Sequence, residues 1–178
     1  MAHMLLRMYV VGVNSKEAAL DAAYQTLNYL VDNHEIDYGY TTDSPEAGWH
    51  EDYPEGAYPI DSDVAKRIIQ DDRNYLWGVF NEYLNRLRAL LSMFSNEEIY
   101  YQRPGPQTLV AHGLTDDHLQ DKLRAFRGIL STLHPCGAWV HAILLVWDDG
   151  SYDLIENGYE LERAIENATY IALADVHV

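Results

Sequence analysis

The chain has 178 residues, 48% of them hydrophobic and 22% charged, with 12 basic side chains against 28 acidic ones. A chain of this length can bury about 70% of its unfolded surface, enough for a core without disulfide or metal staples. A net charge of −16 excludes a general basic face for nucleic acid or anionic lipid. One cysteine excludes an internal disulfide framework, and no apolar run approaches the ~20 residues of a membrane span.

Met1-Ala2-His3 reads as a cloning remnant ahead of a native start at Met4. One α+β domain is expected over residues 4–178. Leu5–Val13 is a continuous apolar run bounded by Asn14-Ser15, the pattern of a buried strand. Ser15 is placed to cap a helix over about 16–32, where Ala19, Ala23, Leu27 and Leu30 share one face. A short strand is expected at Ile36–Thr41, and residues 42–61 form a long loop.

Ser62 or Asp63 then opens the longest helical pattern, about 63–94. Leu76, Phe80, Tyr83, Leu87, Leu90 and Phe94 recur every three or four residues and predict a buried stripe, with a coiled-coil homodimer as the second reading. Asn96–Gln102 is a candidate strand, and Thr115 caps a helix that stops at His134-Pro135. Ala138–Trp147 predicts a strand apolar on both faces except for His141, and Asp148-Asp149-Gly150-Ser151 a hairpin turn into Tyr152–Ile155. A short helix over Glu160–Asn167 and a last strand over Tyr170–Val178 complete the chain. Strands and about three helices without strict alternation predict an α+β fold with a mixed or antiparallel sheet, a ferredoxin-like arrangement being one variant.

The acidity is not evenly spread. No Lys or Arg occurs between Lys16 and Lys66, while ten acids fall between Asp32 and Asp63. Eight more lie from Asp148 onward, against Arg163 alone. The first block is also aromatic, with Tyr38, Tyr40, Trp49, Tyr53 and Tyr58 among Pro45, Pro54 and Pro59. Acids steer a basic partner, and Tyr and Trp supply rigid contact area. A loop of this length without regular structure is often functional. The candidate binding residues are therefore Asp43, Glu46, Trp49, Glu51, Asp52, Tyr53, Glu55 and Tyr58.

Catalytic signatures are sparse. Gly12-Val13-Asn14-Ser15-Lys16 lacks the second glycine of a phosphate loop. Cys136 sits beside His134 at a helix C-terminus, where the dipole disfavours a thiolate. His112, Asp117, His118 and Asp121 are the densest set of metal-type ligands, but no pair of imidazoles has ligand spacing, and first-turn acids are expected at a helix start. His141, Asp175 and His177 lie on the two C-terminal strands and would make a base with its orienting carboxylate if those strands were neighbours. No cofactor is expected.

The first expectation is a non-enzymatic acidic protein that binds a basic surface of a partner protein in the cytoplasm, or in a host's cytoplasm. Its extreme form is a nucleic-acid mimic that occupies the groove of a DNA- or RNA-handling enzyme, of the kind phages and mobile elements carry. The second is a small His/Asp-dependent hydrolase. The third is a halophile's domain whose acidity serves only solvation, to which three Lys against nine Arg would also conform.

Overall fold

The computed structural model describes residues 3–92 and 143–177. The elements run β1 (His3–Val11), α1 (Lys16–Asp32), β2 (Tyr38–Thr41), β3 (Ala57–Pro59), α2 (Asp63–Ser92), β4 (Ile143–Val146), β5 (Tyr152–Leu154), α3 (Gly158–Asn167) and β6 (Ala168–His177). The strands form one sheet in the order β2-β6-β1-β4-β5, with β3 also paired to β6. β1 and β4 are parallel, and every other pair is antiparallel. This is the expected α+β class with a mixed sheet. The parallel β1–β4 pair at its centre gives the ferredoxin-like variant no support.

Alternation along β1 and β6 creates two buried faces. Met4, Leu6, Met8 and Val10, with Ala172, Ala174 and Val176, pack against Ala19, Ala22, Ala23, Leu27 and Leu30 of α1. Tyr9, Ile171 and Leu173 on the other face pack against Ala65, Ile68, Ile69 and Leu76 of α2, and against Leu161 and Ala164 of α3. Burial on both faces explains why β1 and β6 read as near-continuous apolar runs.

The caps follow the sequence. The Ser15 side chain accepts the Ala18 N–H at 3.1 Å, and α1 spans Lys16–Asp32. Ser62 does the same for Ala65, and Asn157 for Glu160 at the start of α3. The 148–151 hairpin turn forms as expected: Gly150 has φ +79°, and the Asp149 carboxylate accepts from the Ser151 N–H and hydroxyl.

Residues 1–76 and 137–178 form one compact unit, and 77–136 a second. The long helix is present, but its buried residues begin earlier than the predicted stripe, at Ala65. Leu76 is buried, Phe80 is 47% exposed, and Tyr83 and Leu87 are half-buried. The Leu90 side chain and Phe94 lie outside the described residues, as do the expected strand at 96–102 and the helix starting near Thr115. Within 77–92, the Trp77 and Phe80 rings stack with centroids 5.9 Å apart. Among the described residues, no helix is long and apolar enough to cross a membrane.

Candidate functional site

The segment after β2 is a chain of turns pinned to β6. Thr42 is buried; its N–H donates to the Leu173 carbonyl and its hydroxyl to the Tyr53 carbonyl. Backbone bonds from Ala47 to Ser44, His50 to Ala47, Tyr53 to Trp49 and Gly56 to Tyr53 close successive turns. The His50 ring donates from Nδ1 to the Thr42 carbonyl at 2.8 Å. Asp175, buried on β6, accepts the Gly48 N–H at 2.6 Å and so ties the middle of the segment to the sheet. At Gly56, φ +70° lets the chain turn into β3, the short strand inside what the sequence reads as loop.

This scaffold presents Asp43, Glu46, Glu51, Asp52 and Glu55 to solvent. Lys16 of α1 pairs with Glu55. The Glu46 carboxylate beside Tyr40 raises the phenol's pKa, by its charge first and by accepting its hydrogen bond second. The aromatic residues divide. Tyr58, on β3, is buried in the core, and its hydroxyl accepts the Glu55 N–H. Tyr53 packs edge-on to Tyr58. Trp49 is half-buried and lines a cleft of about 620 Å³ together with Tyr53, Asp52, Leu5, Arg7 and Arg67.

Behind that cleft lies a polar group that sequence reasoning missed. Asp72 of α2 has no exposed surface. The Tyr9 hydroxyl donates to its Oδ2 at 2.8 Å, and Arg7 Nε lies 3.1 Å from its Oδ1 in an ion pair too poorly aligned to count as a hydrogen bond. Burial pushes the Asp72 carboxyl up to about 6, against the opposing pull of Arg7 and of the Tyr9 hydrogen bond. Burial first, and the Asp72 charge second, raise the Tyr9 phenol. The sequence signal was Arg7 itself, a cation inside an apolar strand, which demands a buried partner.

Asp175 and His177 share one face of β6, as alternation predicts, but each has a different partner. Asp175 accepts from Gly48 and from His3 Nδ1 at 3.0 Å. His177, also buried, donates from Nδ1 to Asp37 Oδ2 at 3.2 Å and stacks on Tyr38 with centroids 4.7 Å apart. The orienting carboxylate of His177 is therefore Asp37, supplied from just before β2. His141 lies outside the described residues, as do His112, Asp117, His118 and Asp121. Among the described residues, no group of three or more His, Cys, Asp or Glu is arranged to hold a metal.

Comparison with known proteins gives no matching family model, no matching curated protein and no matching solved structure.

Proposed function

We propose that this is a non-enzymatic acidic interaction protein whose 43–55 segment engages a basic surface of a partner protein in the cytoplasm. The observation that carries this reading is an ordered, turn-locked scaffold that holds five acids in solvent, with Lys16 the one base paired to them among the described residues. Exposed acids on a fixed frame raise the rate of encounter with a cationic surface more than they raise the final affinity. A frame ordered in advance also lowers the entropy lost on binding.

The nucleic-acid-mimic form of this reading needs both acidic blocks on one face. The 43–55 segment leads out of the β2 edge, whereas Asp148, Asp149 and Asp153 belong to the β4–β5 hairpin at the other edge. Four strand spacings separate those edges, about 19 Å. Mimicry would need acids to span that distance along one face, and the 43–55 patch is the part proposed for recognition.

The test is kinetic. A partner recovered from the native host by low-salt capture and high-salt release is measured against the wild type and against Asp43→Asn/Glu46→Gln/Glu51→Gln/Asp52→Asn. The variant should associate more slowly, with a flatter salt dependence and a nearly unchanged dissociation rate. Equal association rates at low salt would remove the segment from recognition.

A further inference from the structure

The cleft beside the acidic segment brings two arginines together with one acid, Asp52. Arg7 and Arg67 both line it, in a protein of net charge −16. Arg7 enters from β1, with its side chain 16% exposed and its Nε turned to the buried carboxylate of Asp72. A guanidinium carries five N–H donors, more than one carboxylate oxygen can accept from. Arg67, on the same helix as Asp72 and Arg73, is exposed and makes no ion pair among the described residues. Lys16, Lys66 and Arg73 are matched to Glu55, Asp63 and Glu162, while Arg163, like Arg67, makes no ion pair among the described residues; what sets Arg67 apart is its place on the cleft lining.

Besides the two arginines and Asp52, the lining combines the His3 imidazole with Met4, Leu5 and the rings of Trp49 and Tyr53. A cleft of about 620 Å³ lies within the size range of small-molecule sites. Asp52 stands on the same lining and repels excess negative charge. We propose that this cleft is a binding site for a small aromatic monocarboxylate, its ring laid against Trp49 and Tyr53 and its carboxylate shared by Arg7 and Arg67. Asp72 holds Arg7 in position from behind. The two roles share Trp49, Asp52 and Tyr53 but call for ligands of opposite charge, an anion here and a cationic surface there, so their tests can fail separately.

Benzoate is the probe, titrated into the full chain by calorimetry at low salt, with phenyl phosphate, benzylamine and acetate in parallel. Saturable one-to-one binding of benzoate is expected, weaker for phenyl phosphate because of Asp52, and absent for benzylamine and acetate. Arg67→Gln changes an exposed side chain and should leave the melting temperature unchanged while weakening benzoate at least tenfold. Trp49→Phe should bind benzoate within a few-fold of wild type, and Trp49→Ala should lose it. Arg163→Gln, on α3 and away from the cleft lining, should have no effect. No saturable benzoate binding, binding unchanged by Arg67→Gln, preference for phenyl phosphate, or binding of benzylamine in its place would each overturn the proposal.

Discussion

Replacing Asp72 with asparagine isolates the energetic consequence of burying a carboxyl group between β1 and α2. The folded protein holds the Asp72 proton more tightly than the unfolded chain, with a pKa of about 6 against an ordinary 3.8. That difference corresponds to about 3 kcal/mol. The stabilisation is fully present only below about pH 3, where both states are protonated at Asp72 and no charge is buried. It declines as pH rises through 6, because ionisation then costs more in the fold than in the unfolded chain. The side-chain amide of the Asp72→Asn variant has nothing to titrate. The unfolding free energy of the wild type minus that of Asp72→Asn should therefore fall by about 2.5 kcal/mol between pH 4 and pH 7.5. Urea unfolding followed by circular dichroism at half-unit pH steps measures both proteins, and the subtraction cancels the other acids. Removing the counter-charge with Arg7→Met should extend the decline above pH 6. A constant difference across the range would refute the burial argument, and a difference rising with pH would show that Arg7 outweighs desolvation.

Gly39 of β2 has no room for a methyl group: a Cβ there would sit 2.9 Å from Leu27 Cδ2 and 3.0 Å from Val176 Cγ1. Gly39→Ala should destabilise by about 1–3 kcal/mol in urea titration, and an unchanged midpoint would mean that α1 does not pack there. Ser15→Ala removes the cap of α1 and should cost about 1 kcal/mol, with a larger loss of protection in amide exchange at Ala18 than at mid-helix. Leu161, fully buried between α3 and the sheet, should cost about 2–5 kcal/mol as Leu161→Ala in the same titration.

The parts legible in the sequence were those governed by local rules. Ser15 and the apolar positions at 19, 23, 27 and 30 located α1 at both ends. Asp149-Gly150-Ser151 marked its turn because its local chemistry, the positive φ of Gly150 and the Asp149 bonds to Ser151, lies within that stretch. The parts that stayed hidden are decided by distant partners. β3 is three residues long and ends in Pro59, a run too short to show a period, and only pairing with β6 makes it a strand. The apolar residues of α2 continue past Leu76, so periodicity could not say which stretch meets the sheet. Tyr9 and Asp72 are 63 positions apart, and His177 reaches back 140 positions to Asp37 rather than two to Asp175. The exposed acids of the 43–55 segment were legible as charge, whereas the pairing of Arg7 and Arg67 around Trp49 needed the fold.

β6 carries a consequence for how the protein is made. It pairs with β1 along nearly its whole length and with both β2 and β3 on its other side. The register sets Leu5 opposite Asp175, 170 positions later in the chain. A ribosome therefore releases β1, β2 and β3 long before the strand that joins them exists. Until β6 emerges, these strands keep unpaired backbone edges, the kind of surface on which neighbouring nascent chains associate. Closing so long a loop is entropically expensive and slow. Sheet assembly is thus a late event, and the interval before it is when unpaired strand edges are most exposed.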